Sequence, residues 1–144
     1  MQETASIFRE GFTIETIQSS ASGTLAEALG IRVTAIGPDS LTATMPVDHR
    51  THQPMGILHG GASVALAETA GSVAANGTLD HEKQYAVGLE INANHLRSVR
   101  SGIVTAIARP VHLGRTTQVW DIRIIDDAGK PVCISRLTIA VLNR

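Results

Sequence analysis

At 144 residues, with 43 % hydrophobic and 17 % charged side chains, the chain has the size of one domain with a real core and is too apolar to be disordered. Twelve Lys and Arg against thirteen Asp and Glu leave a net charge of −1, which argues against general nucleic-acid binding. Four aromatic side chains in all make the core aliphatic, and the lone cysteine, Cys133, excludes an internal disulfide and a cysteine-based zinc site.

Residues 1–10 (MQETASIFRE) carry acid and lack an apolar run, so no signal peptide is expected and the cytoplasm is the expected compartment. Residues 1–20 read as an extension of one domain spanning 1–144. Residues 24–30 (TLAEALG) predict a short helix, with Thr24 and Glu27 spaced as a capping box and Gly30 as the stop. Strands are expected over 31–36 and 41–47, joined by Gly37-Pro38-Asp39-Ser40, whose residue types favour a turn. Residues 48–58 are polar, carry Pro54 and Gly56, and read as a loop approaching a helix that starts at His59-Gly60-Gly61.

Between His59 and Asp80 lie twenty residues whose only ionisable side chain is Glu68. The stretch is rich in Ala and small residues on every face, the pattern of a helix wrapped by protein, yet too polar to cross a bilayer. A carboxylate there must be desolvated, paired or opened to a cleft. Such groups cluster at working sites, although a structural ion pair or a solvated gap gives the same string.

After Gly77 the pattern becomes period two. Tyr85, Val87, Leu89, Ile91 and Ala93 alternate with Ala86, Gly88, Glu90, Asn92 and Asn94, and Leu96 falls out of phase, which predicts a bulge near Asn94-His95. Three further strands follow, over 102–112, 117–125 and 132–142, the last two joined by a turn at 126–130. In the final strand Cys133 alternates with Ser135, Leu137, Ile139 and Val141, so it is expected to pack as an inert thiol. Short connections imply an antiparallel sheet. Two strands, a long helix and four strands predict an α+β chain of the hotdog type, a six-stranded sheet wrapped around a central helix. Between Ile91 and Trp120 no acidic residue occurs, while Arg97, Arg100, Arg109, Arg115, His95 and His112 do. That excess suits an anionic ligand, since guanidinium forks match phosphate geometry; separate solvated arginines are the alternative.

Three blocks, residues 53–68 (QPMGILHGGASVALAE), 88–98 (GLEINANHLRS) and 112–120 (HLGRTTQVW), resemble the hotdog-fold acyl-CoA thioesterases. The branch contains the 1,4-dihydroxy-2-naphthoyl-CoA and enterobactin proofreading thioesterases and, more distantly, the phenylacetyl-CoA and 4-hydroxybenzoyl-CoA enzymes. The similarity runs from about residue 23 to 140. It implies hydrolysis of an aryl- or medium-chain acyl-CoA, 1,4-dihydroxy-2-naphthoyl-CoA among them, without metal or other cofactor, coenzyme A being part of the substrate. By position it implies Glu68 as nucleophile or general base, Gly60 N–H polarising the thioester carbonyl, and catalytic support from Gln53, His59 and Ser72. It also implies coenzyme A contacts from Gly88, from His95, Leu96, Arg97 and Ser98, from His112, Leu113, Gly114, Arg115, Thr116 and Thr117, and from Arg136. Met55 stands where relatives often carry Phe.

Helix geometry adds a constraint of its own. Gly60 and Glu68 are eight residues apart, about 12 Å along a helix, too far to act on one carbonyl within one subunit. Two such helices packed antiparallel about Val64 would bring the N-terminus of one to Glu68 of the other, and Ala62, Ser63, Ala65, Ala67, Ala70 and Gly71 are small enough to permit close approach. A homo-oligomer with composite intersubunit sites, a dimer or a dimer of dimers, is therefore expected, with no nucleic-acid or membrane partner. Competing expectations are a proofreading thioesterase acting on a misacylated aryl carrier protein, a non-catalytic acyl-CoA-binding module, and a hydratase. His49, His52 and Gln53 lie close together without completing a metal-ligand spacing.

Overall fold

The computed structural model describes residues 4–144 and follows the expected alternation of elements closely. In chain order these are α1 (Ile14–Ser20), α2 (Leu25–Leu29), β1 (Arg32–Ile36), β2 (Leu41–Pro46), α3 (Gly60–Gly77), β3 (Gln84–His95), β4 (Ile103–Leu113), β5 (Thr117–Ile125) and β6 (Pro131–Asn143). The strands form one sheet in the order β1-β2-β4-β5-β6-β3, with every neighbouring pair antiparallel. After the β1–β2 hairpin, the loop and α3 carry the chain across the sheet, so that β3 joins at the far edge beyond β6.

The core lies between α3 and the concave face of the sheet. Leu41, Ala43 and Met45 of β2, Val104, Ala106 and Ala108 of β4, Trp120, Ile122 and Ile124 of β5, and Leu137 and Ile139 of β6 are fully buried, facing Leu66, Ala67, Ala70 and Ala74 of α3. Small helix residues are what let the sheet close. A Cβ on Gly71 would come within 2.7 Å of a Leu137 methyl and 3.3 Å of one on Ile122. Trp120 Nε1 donates to Gln118 Oε1 at 2.9 Å, and Gln118 Nε2 donates to Thr78 Oγ1 at 2.9 Å, so the one buried indole is satisfied by a short polar chain ending at the α3 C-cap. Cys133 is buried on the same inward row as Ser135, Leu137 and Ile139, and burial pushes its thiol pKa up.

Three local expectations differ from the structure. Gly30 does end α2 in the left-handed conformation, φ 73°, but Thr24 does not cap it: its hydroxyl donates to the Ala21 carbonyl, and Glu27 accepts from Gly23 N–H instead. A true capping box starts α1, where Thr13 and Thr16 satisfy each other's backbone N–H groups. The irregularity in β3 falls between Gly88 and Glu90, and pairing continues unbroken through Asn94 and His95 to Cys133. The displaced residue, Leu89, shifts the parity of the strand. Ala86 faces inward before it and Ile91 and Ala93 turn inward after it, leaving Val87 and Leu89 exposed.

Nor is α3 enclosed on every side. Its inward row is buried, whereas Gly61 is exposed and Val64, Ala65, Glu68 and Ser72 are half-buried. Among the described residues no helix is long and apolar enough to cross a membrane.

Candidate active site

His59 has extended backbone geometry, φ −68° and ψ 131°, and caps α3 with its side chain: Nδ1 accepts from Gly61 N–H at 2.7 Å. Two consequences follow. The neutral imidazole carries its proton on Nε2. Gly61 N–H is spent, so of the two glycine donors at the helix start only Gly60 N–H lacks an acceptor among the described residues. An N–H at that position points outward with the positive end of the helix dipole and suits a developing oxyanion.

A cleft of about 300 Å³ opens at this helix end, lined by Gln53, Ile57, Leu58, Gly60, Ser63, His95, Leu96, Arg97, Ser98 and Val132. The approach loop is tied at both ends. Asp48 binds Arg50 through its backbone and guanidinium at 2.9 and 2.8 Å, and the hydrogen bond to the Arg50 side chain holds the Asp48 carboxyl down at about 2. His59 N–H donates to the Thr51 carbonyl and Leu58 N–H to that of Val99. Within the loop, Gln53 N–H bonds Ile57 O and Gln53 Oε1 accepts from Met55 N–H, leaving Met55 71 % exposed outside the cleft lining. His95 stands directly over Gly60: a Cβ there would lie 2.8 Å from His95 Nε2. The end of β3 and the start of α3 thus meet at this cleft.

Glu68 lies elsewhere on the same helix. It is half-buried and takes part in no ion pair among the described residues, and its carboxylate occupies the space over Gly88 that a side chain there would need. Gly88 pairs with Ile139 and His95 with Cys133 in the β3–β6 ladder, so the two positions are seven residues apart, roughly 23 Å along a strand. The turn bearing Leu113, Gly114, Arg115 and Thr116 is at the Glu68 end, because Thr117 pairs with Ala140 and Ala140 with Val87. Each chain therefore carries the expected residues in two separate groups. One holds the free N–H with Gln53, His95, Leu96, Arg97 and Ser98, and the other holds the carboxylate with Gly88 and the turn that follows His112.

Arg136 belongs to neither, lying exposed on the convex face between Asn92 and Asp121. Arg109 is spent on Asp39 at 3.1 Å, whereas Arg97 opens onto the cleft. Ser72 lines a separate cavity with residues of α1. Sequence reasoning passed over Ser63, Ile57 and Val132 in the cleft; Ser63 sits one turn after His59 and points inward, a position only the helical phase relative to the sheet reveals. No set of three His, Cys, Asp or Glu side chains converges among the described residues.

A sheet wrapped on a long helix, with an unspent N–H at the start of that helix and an unpaired carboxylate farther along, defines a hotdog-fold hydrolase. A model of the thioesterase superfamily matches residues 55–133. The 1,4-dihydroxy-2-naphthoyl-CoA hydrolase of Escherichia coli is 52 % identical over 136 residues, covering 94 % of this chain and 99 % of that one. The proofreading thioesterase EntH of Cronobacter turicensis is 51 % identical over 137 residues, 95 % and 99 % of the two chains. The crystal structure of a mutant Pseudomonas aeruginosa thioesterase matches with a TM-score of 0.95 at 55 % identity, covering 96 % of this chain and 100 % of that one. The chain belongs to the thioesterase superfamily and is a thioester hydrolase.

Proposed function

We propose that the chain hydrolyses aryl- or medium-chain acyl-CoA thioesters, 1,4-dihydroxy-2-naphthoyl-CoA among them, in the cytoplasm and at two equivalent sites of a homodimer. The observation that carries the shared site is the separation of the unspent Gly60 N–H from the unpaired Glu68 carboxylate on one rigid helix, and the similarity to a 1,4-dihydroxy-2-naphthoyl-CoA hydrolase supports the substrate class. With about 12 Å of helix between them, one carbonyl meets both only when a second copy supplies the other half. Two features favour that pairing. Gly61, Val64, Ala65 and Glu68 form a row of α3 left partly open. The edge strand β3 has an unpaired side and exposes Val87 and Leu89, which soluble edge strands ordinarily avoid.

In the assembled site the thioester oxygen accepts from Gly60 N–H, and the carboxylate of Glu68 from the other subunit attacks the carbonyl carbon or takes the proton of an attacking water. The carbon–sulfur bond breaks and the sulfur takes up the proton given by water, so coenzyme A leaves as the thiol. Where Glu68 is the nucleophile, water then hydrolyses the acyl–Glu68 anhydride, releasing the free acid and restoring the carboxylate. Gln53 and His59 orient the thioester and Ser72 assists beside Glu68. Gly88 gives the carboxylate its room. Arg97, with His95, Leu96 and Ser98, receives coenzyme A from the N–H side, and His112 and the turn through Thr117 receive it from the Glu68 side. Arg136, apart from both, is the weakest of the assigned contacts. The chemistry needs no metal or other cofactor.

Similarity to a proofreading thioesterase favours a second substrate, a misacylated aryl carrier protein, processed by the same groups. Turnover of aryl-, medium- and long-chain acyl-CoA beside an aroylated carrier protein separates the two, with acyl-CoA expected to give the larger kcat/KM. Glu68→Gln keeps size and removes charge, so kcat should fall by about 10²-fold or more in a folded protein. Retention of more than about a tenth of wild-type kcat contradicts the assignment.

A further inference from the structure

We infer that the N-terminal arm selects the acyl group, and that Ile17 of α1 sets the depth of the cavity that receives it; this rests on the proposed role of Glu68. A cavity of about 410 Å³ lies between α1 and the outer face of α3, lined among others by Phe12, Ile17, Ser20, Ser72 and Val73. Behind it is a second of about 170 Å³, lined by Ala26, Ile31, Val33 and Thr69 and again by Ile17, Ser20 and Val73. The shared residues are the wall between the two. Ser72 comes one turn after Glu68, about 6 Å along the helix and on the same face. A carbonyl held at Glu68 is thus within about one helical turn of the wall of the first cavity at Ser72.

Size and polarity fit an acyl group. A dry cavity of about 150 Å³ accepts a benzene ring, so the first has room for an aryl or medium-chain group and the second for roughly one ring more. The first is partly polar, with Arg9, Thr16, Asn76 and His81 also on its walls, and Arg9 Nε is buried without a hydrogen-bond partner among the described residues. The second is apolar where it matters: Thr69 and Thr24 spend their hydroxyls on the Ala65 and Ala21 carbonyls. Ile17 is half-buried on a helix of seven residues that lies outside the span matched by the family model.

The test is kcat/KM for acetyl-, benzoyl-, naphthoyl- and straight-chain acyl-CoA of increasing length, measured for wild type, Ile17→Ala, Ile17→Phe and Glu68→Gln, with folding and oligomeric state checked for each. Ile17→Ala merges the cavities and should raise the preference for long or bulky acyl groups over acetyl by roughly tenfold, the usual worth of a few methylenes in an apolar pocket. Ile17→Phe fills the space and should shift the preference the opposite way, towards acetyl over long or bulky acyl groups. Should Ile17→Ala fail to fold, Ile17→Phe and Ile17→Val decide. Profiles parallel to wild type, with Glu68→Gln inactive, overturn the role of the arm and leave the site standing. A fully active Glu68→Gln overturns the site and the inference with it.

Discussion

At the scale of single residues, the site depends on which donors and acceptors are already occupied. His59 accepts from Gly61 N–H and so decides that Gly60 is the available donor. Glycine at 88 has an equally concrete reason, since Glu68 fills the place of its side chain. Gly88→Ala should leave the fold intact, because a flexible carboxylate can move aside, yet lower kcat by up to about 10²-fold through misplacement of Glu68; steady-state kinetics beside a melting curve checks both halves. Arg97→Ala should raise KM for acyl-CoA several-fold with kcat little changed, the pattern of lost uniform binding. A truncated N-acetylcysteamine thioester, lacking the nucleotide, should show no such penalty. An equal penalty with that substrate refutes the contact.

At the scale of elements, period-two runs and turn residues located every strand and α3 to within a residue or two, and the Glu68 and Gly60 arguments needed only the helical rise. What escaped was decided by tertiary contact. The β3 bulge falls at Leu89 because the inward rows before and after it must both meet β6 and α3, and the string of alternating apolar residues conceals that change of parity. The Thr24–Glu27 spacing fits a capping box, but a turn through Ala21 and Gly23 claims both side chains first. Arm and α3 meet through residues separated by more than fifty positions, with no local signal to join Ile17 to Val73. The exposed edge of β3 carries its own expectation. If the chain dimerises through that edge as proposed, Leu89→Lys, which places a charge on it, should give a monomer and remove activity together, as read by light scattering and turnover on the same sample. A fully active monomer would contradict a shared site.

At the scale of the whole molecule, the central claim is that catalysis is divided between two chains. Gly60→Pro deletes the donor N–H at a helix position that tolerates proline, after a residue already extended at ψ 131°. A control, Gly60→Ala, keeps the N–H while adding the same Cβ contact with His95, and so separates donor loss from crowding. Glu68→Ala deletes the carboxylate. Each homodimer should be nearly inactive. In a mixed dimer one site collects both lesions and the other neither, so differentially tagged heterodimers, isolated after co-refolding, should regain up to about half the wild-type activity by two-fold symmetry. Well-folded heterodimers as inactive as either parent would contradict the account and require Glu68 to work with a donor in its own chain.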